Sequence, residues 1–199
     1  MKNIGVLVSG GGTNLQALID ACDSGIIKSA KIVTVVSNKD GVYALKRAGR
    51  AGIEGAVIKK SDYESADDFD EAIARHMLSR NVDVIVMAGF LSIVGDRLLD
   101  AYKDRIINIH PSLIPSFCGT GCYGLHVHEK ALEYGVKVTG ATVHFVNEIP
   151  DGGKIIAQKA VYIEEGDTPE ILQKRVMEQA EWVILPRAVE KVCSELDGK

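Results

Sequence analysis

Ile4-Gly5-Val6-Leu7-Val8-Ser9-Gly10-Gly11-Gly12-Thr13-Asn14-Leu15 decides the fold. Residues 4–8 are a short apolar run that stops at glycines, and residues 14–23 carry a helical pattern. A buried strand, a glycine turn and a helix in that order open a β-α-β series. The series continues. Residues 31–37, 55–58, 82–87 and 105–109 are further short runs rich in Val and Ile, the signature of strands buried on both faces. Residues 43–51, 67–79 and 95–102 read as helices between them. The fold class expected is α/β, a Rossmann-like, mostly parallel sheet with helices on both faces.

Past residue 110 the pattern changes. Residues 111–126 are loop-like, and a helix follows over 127–134. Strands at 137–147 and 154–163 flank Pro150-Asp151-Gly152-Gly153, a turn signal, giving a C-terminal β-hairpin. A long last helix starts at Thr168-Pro169, with Thr as N-cap and Pro as first helical residue. It is expected to run to about residue 196, bent at Pro186. No repeat or linker interrupts the chain, so residues 1–199 are read as a single domain.

Composition narrows the function. With 46% hydrophobic and 25% charged residues, a packed core is expected and disorder is not. The 27 acidic and 23 basic residues give −4, which disfavours non-specific binding to nucleic acid or an anionic membrane. No apolar run reaches the roughly 20 residues of a membrane helix, and residues 4–8 lack the length and cleavage site of a secretory signal. Four cysteines, Cys22, Cys118, Cys122 and Cys193, are too sparse for a disulfide scaffold. A cytoplasmic protein follows, with a homodimer left open.

The glycine loop lets the backbone present its N–H groups at the positive end of the following helix, where a phosphate can sit. The Gly-Lys-Ser/Thr of a P-loop is absent. Leu15 stands where the dinucleotide fingerprint needs a third glycine, and Ser37-Asn38 where it needs an acid. A phosphate monoester therefore suits the loop better than NAD or ATP. A turn needed only for strand–helix packing explains the same glycines.

Asn108 and His110 stand two apart at a strand end and can face one way. That end is where open α/β sheets place ligands. His110 can serve as general acid or base, and the Asn108 amide can donate to a developing oxyanion. A polar strand end entering a turn is the plainer alternative. Asp151-Gly152 is explained by turn formation alone. A carboxylate near His110 would raise the imidazole pKa, but spacing does not show that they meet. Cys118, Cys122, His126 and His128 do not follow the spacing of zinc modules, so no metal is expected. His76 reads as a surface residue and His144 as a packed or hydrogen-bonded one.

Taken in order, Val8-Ser9-Gly10-Gly11-Gly12-Thr13-Asn14-Leu15-Gln16, Met87-Ala88-Gly89-Phe90, Asn108-Ile109-His110-Pro111-Ser112-Leu113-Ile114-Pro115, Gly140-Ala141-Thr142-Val143-His144-Phe145-Val146 and Asp151-Gly152-Gly153 resemble the folate-dependent formyltransferases. The glycine loop resembles that of their glycinamide ribotide branch. The resemblance spans essentially the whole chain. It implies formyl transfer from the co-substrate 10-formyltetrahydrofolate to the amine of 5′-phosphoribosylglycinamide (GAR) in purine synthesis, without a metal. It implies a catalytic set of Asn108, His110 and Asp151. The loop residues Gly11, Gly12, Thr13 and Asn14 would hold the substrate phosphate, and Glu181 the ribose hydroxyls. Leu91, Ser92, Ile93 and Val94, with Asn108, would border the pterin.

The chain departs from the family pattern at Ala66 and Ser92, where basic residues are usual, leaving Lys59 or Lys60 for the folate tail. Pro150 replaces an apolar residue before the Asp, and the stretch around Cys118 and Cys122 is about five residues longer than in the shortest relatives. Methionyl-tRNA formyltransferase and formyltetrahydrofolate hydrolase share the Asn, His and Asp. The first carries an added C-terminal domain and the second an added N-terminal one, for which the chain is expected to have no room. A non-catalytic phosphate-binding protein is the rival from another class, and it would not need Asn108, His110 and Asp151 together.

Overall fold

The computed structural model describes residues 1–196; residues 197–199 of the expected domain lie outside the described residues. Seven strands form one sheet in the order β3-β2-β1-β4-β5-β6-β7. They are β1 (Lys2–Val8), β2 (Ala30–Ser37), β3 (Glu54–Val57), β4 (Val84–Met87), β5 (Ile106–His110), β6 (Val138–Phe145) and β7 (Ile155–Tyr162). The first five pair in parallel; β6 and β7 run antiparallel, as a hairpin added at one edge.

The α-helices are α1 (Thr13–Asp23), α2 (Tyr43–Arg50), α3 (Ala66–Ser79), α4 (Asp96–Ala101), α5 (Leu125–Tyr134), α6 (Pro169–Val176) and α7 (Trp182–Glu195). Side chains of β1 alternate between two apolar layers. Ile4, Val6 and Val8 join Leu15, Leu18 and Val189 of α1 and α7, while Leu7 joins Phe69, Ile73 and Leu98 of α3 and α4. The period-2 alternation of a strand thus feeds two helical faces. Gly5 permits the second layer to close, since a Cβ there would collide with the Met77 sulfur.

After β3 the chain crosses back and lays β4 against the other side of β1. This reversal opens a crevice at the carboxyl ends of β1 and β4, the place where open α/β sheets bind ligands. The glycine loop, the segment after β4 and the end of β5 all emerge there.

The last helix departs from expectation. Thr168 caps α6, its hydroxyl accepting from the Ile171 N–H at 3.4 Å, and Pro169 sits in the first turn. The break is not at Pro186, which lies inside α7. It is a π turn, Met177–Glu181, between α6 and α7. Pro186 lacks the N–H that would bond the Trp182 carbonyl and close the first turn of α7. The irregularity is taken up just upstream, where the π turn carries Glu181.

Candidate active site

A cavity of about 540 Å³ occupies the crevice. Its lining includes Thr13 and Asn14 from the start of α1, residues 89–94 after β4, Asn108 and His110 from β5, residues 119–124, Asp151, and Glu181 from the π turn. Sequence segments far apart therefore meet in one place because their strands end on one edge of the sheet.

The polar cluster at the strand ends is set by strand register. Asn108 pairs across the antiparallel ladder with His144, so both side chains emerge on the same face. The Asn108 amide Nδ2 donates to His144 Nε2 at 3.1 Å, and His144 Nδ1 donates to the Phe145 carbonyl at 2.8 Å. This pair of partners places the His144 proton on Nδ1. Asp151 lies between two imidazoles: Oδ2 is 3.6 Å from His110 Nδ1 and Oδ1 is 3.6 Å from His144 Nε2. Its Oδ2 also accepts from the Gly119 N–H at 2.8 Å. His110 Nε2 donates to the Phe117 carbonyl at 2.9 Å, which leaves Nδ1 facing the carboxylate.

The turn that aims Asp151 needs its sequence. Asp151 has φ 56°, a left-handed conformation that Asp tolerates better than most residues. A Cβ on Gly153 would collide with the Phe145 carbonyl, so the chain can pass β6 this closely only with glycine there. Pro150 is accommodated, and Asp151 reaches the cavity beside it.

Burial decides the charge state of His110. It pushes the imidazole pKa below the ordinary histidine range; Asp151 and the Phe117 carbonyl push upward but are outweighed, and His144 adds to the lowering. Asp151 thus acts in the expected direction, raising the imidazole pKa, but desolvation is larger. Burial also pushes Asp151 upward. There the attraction of the carboxylate to the His144 and His110 imidazoles in their protonated forms, with the Gly119 N–H, wins, and the carboxyl stays below its usual range. The resting pair is a carboxylate facing an imidazole that favours its neutral form.

At the other end of the cavity, Asn14 Nδ2 donates to Glu181 Oε2 at 2.8 Å. Burial pushes the Glu181 carboxyl up, and the Asn14 amide opposes this. Asn14 Oδ1 is buried with no partner. A carboxyl and an orphaned amide oxygen here are acceptors for hydroxyl donors of a ligand. Thr13 opens α1, whose first N–H groups have no intrahelical partners and suit an anion.

Gly11 and Gly12 do not line the cavity. Gly12 has φ 71°, and a Cβ on it would lie 2.7 Å from the Ala44 Cβ. The glycine is required by packing on α2, so a side chain there blocks the neighbouring helix. The loop is tied to α2 by the Ala44 N–H on the Gly10 carbonyl at 3.1 Å and Arg47 Nε on the Gly11 carbonyl at 2.9 Å.

Leu91, Ser92, Ile93 and Val94 form one wall of the cavity. Leu91 and Ile93 are 52% and 72% exposed, an apolar face left open on the rim. The Ser92 hydroxyl accepts from Asn38 Nδ2 at 2.8 Å. Of the two lysines considered for a ligand tail, Lys59 is engaged by Asp40 at 3.0 Å.

The sequence missed two histidines of the site. His144 reads from the sequence as a packed or hydrogen-bonded residue and is both; what the sequence does not show is that it stands between Asn108 and Asp151. His128 is 1% exposed, lines the cavity, and has no partner on either ring nitrogen. Burial pushes its pKa down to about 4, helped by the nearby His110. His76 is half-buried and within 2.9 Å of the Thr34 hydroxyl, so it is not a free surface residue. Cys118 and Cys122 are free thiols, and among the described residues no three His, Cys, Asp or Glu side chains gather as metal ligands. No helix among the described residues is long and apolar enough to cross a membrane.

A doubly wound sheet brings the Asn108, His110 and Asp151 cluster and an anion-ready helix start together at its strand ends. The sequence profile of the formyl transferase family matches residues 2–189, and the chain belongs to that family. Within it, 43% identity over 95% of the chain and 86% of the relative links it to the phosphoribosylglycinamide formyltransferase of Haemophilus influenzae. The solved glycinamide ribonucleotide transformylase 1 of Symbiobacterium toebii superposes with a TM-score of 0.92 at 42% identity, covering 98% of this chain and 88% of that one. The trifunctional purine biosynthetic protein adenosine-3 of Drosophila pseudoobscura is 44% identical over 97% of the chain, which spans 14% of that longer protein.

Proposed function

We propose that the chain transfers the formyl group of 10-formyltetrahydrofolate to the amine of GAR, giving formylglycinamide ribotide and tetrahydrofolate. The observation that carries this reading is Asp151 set 3.6 Å from both His110 and His144, with Asn108 bonded to His144 beside it. Both substrates are small molecules, and a cytoplasmic setting suits them.

The start of α1 receives the phosphate, with Thr13 and Asn14 at its N-terminus and Gly11 and Gly12 shaping the turn. Glu181 and the free Asn14 oxygen accept from the ribose hydroxyls. The open apolar face of Leu91 and Ile93 suits a flat pterin, and Ser92 and Val94 complete that wall. Holding both partners in one cavity supplies proximity. The GAR amine adds to the formyl carbon, a C–N bond forms, and negative charge gathers on the formyl oxygen. Asn108 has a second amide N–H for that oxygen. His110 Nε2–H is the other donor, freed when substrate displaces the Phe117 carbonyl.

The neutral His110 takes the amine proton at Nδ1, through a water. The resulting imidazolium faces Asp151, which stabilises the charge as it appears. A depressed resting pKa keeps the base unprotonated before reaction, and the nearby carboxylate favours the protonated form once it is made. The bond to the folate nitrogen then breaks, and that nitrogen takes the proton held by the His110 imidazolium, which returns to its neutral form.

A competition assay tests the reading. Purified protein and 10-formyltetrahydrofolate are offered GAR, methionyl-tRNA and water together. Formylated GAR as the dominant product is expected. Formylated tRNA, or formate released at the same rate with GAR present, would overturn it.

A further inference from the structure

The wall formed by residues 91–95 has no regular structure and turns much of its apolar surface outward. Packing alone cannot fix it, because Leu91 and Ile93 bury little; Val94 is the side chain that anchors inward. Three polar ties hold it instead. The Leu91 N–H donates to Ser9 Oγ at 2.9 Å, Asn38 donates to Ser92 Oγ at 2.8 Å, and the Gly95 N–H donates to Asp70 Oδ2 at 2.6 Å.

The third tie differs in kind. Asp70 is 1% exposed and stands on α3 among the apolar side chains of the second layer. Its other oxygen, Oδ1, is buried without a partner. A carboxyl so placed is costly to fold, and burial pushes its pKa up. It does not line the crevice cavity. A Cβ on Gly95 would lie 2.7 Å from Asp70 Oδ2, so the loop approaches the carboxyl as closely as only glycine allows. The single service that repays the cost is the short bond to the Gly95 N–H.

We propose that Asp70 is a positioning residue for the folate side of the reaction. It fixes the end of the 91–95 wall from beneath, so that Leu91 and Ile93 are held open and in place before the folate arrives. The inference rests on the formyl-transfer reading above. It predicts an effect confined to one substrate, because the GAR end is held by α1 and the π turn, which Asp70 does not touch.

Calorimetry with tetrahydrofolate and with GAR, each alone, tests it on the full chain. Asp70→Ala leaves the Gly95 N–H unpaired and should weaken tetrahydrofolate by about 10-fold or more, with GAR affinity and saturated kcat within about threefold. Asp70→Asn keeps an oxygen acceptor and should retain tetrahydrofolate affinity within about threefold. Gly95→Ala, which forces the loop off the carboxyl, should reproduce the selective loss if Asp70→Ala does not fold. Unchanged tetrahydrofolate affinity in Asp70→Ala, or an equal loss of GAR, overturns the proposal, as does an Asp70→Asn as weak as Asp70→Ala. Wild-type protein that binds GAR but no tetrahydrofolate overturns the folate reading itself.

Discussion

The two ends of the cavity are built differently. At the end proposed to hold GAR, Thr13, Asn14 and Glu181 stand on helical turns, and the buried Asn14 and Glu181 side chains are bonded to each other. At the end proposed to react, His110 leaves a strand, but its partners Phe117 and Asp151 come from the segment after β5 and the turn before β7, and the Gly119 N–H holds Asp151. All three of these loop residues have positive φ, Phe117 and Asp151 without being glycine. The regular end has its donors and acceptors in place at rest. The loop end has a carbonyl on His110 Nε2 that must give way. Binding is assigned to rigid elements, while the chemistry is assigned to groups that a small backbone shift can bring into register.

Asp151→Asn strikes the loop end hardest. The turn should survive, since Asn suits the left-handed conformation at least as well. Loss of the negative charge removes what favours the protonated imidazole, so the His110 pKa should fall further below its already lowered value. An NMR titration reads that shift. The value of kcat should drop about 1000-fold with GAR KM little changed. An unaltered His110 pKa with lost activity would give Asp151 a different role.

His128 makes the same end sensitive to acid. Its folded pKa, about 4, lies below that of an unfolded histidine near 6.5. Its contribution to stability is complete above about pH 6.5 and is lost as pH falls toward 4, about 3 kcal/mol in all. Urea titrations between pH 7 and pH 4 should show this slope, and His128→Leu should flatten it. A slope unchanged in the variant would assign the acid sensitivity elsewhere.

Gly12→Val tests the rigid end. Strain at φ 71° and the approach to Ala44 should cost about 1–3 kcal/mol of stability. GAR should weaken, and tetrahydrofolate should not. Gly11 has open space around its Cβ position, so Gly11→Ala should fold like the wild type. Equal damage from both changes would remove the distinction between a packed and an open glycine. A smaller effect is expected at His144: His144→Gln should lower kcat about 10-fold, because Asn108 loses the partner that orients its amide.

Sequence pattern reads the regular end well. Every strand of the parallel half lies where the Val and Ile runs place it, and Thr13, Asn14 and Glu181 line one cavity. What pattern does not carry is contact across the sheet. His144 faces Asn108 because of the register of β5 and β6, which periodicity within one strand cannot reveal. The meeting of Asp151 with His110 depends on a positive φ and on loop closure, and neither has a signal beyond Asp-Gly. Burial was invisible too: the lowered His110 pKa follows from three-dimensional desolvation rather than from its neighbours in the chain. The sequence points to a bend at Pro186, because proline is the visible breaker there, and carries no signal for the π turn at Met177–Glu181.

Rapid-quench formyl transfer, with GAR and 10-formyltetrahydrofolate saturating, separates the two ends most directly when His110→Ala and Asn14→Ala are run side by side with GAR binding measured on each. The expected result is a transfer step at least about 100-fold slower in His110→Ala with GAR affinity within about twofold. Asn14→Ala should show the opposite, about 10-fold weaker GAR and a transfer step near the wild-type rate once saturated. A His110→Ala protein that binds GAR poorly but transfers at the normal rate would contradict the assignment of chemistry to the loop-built end.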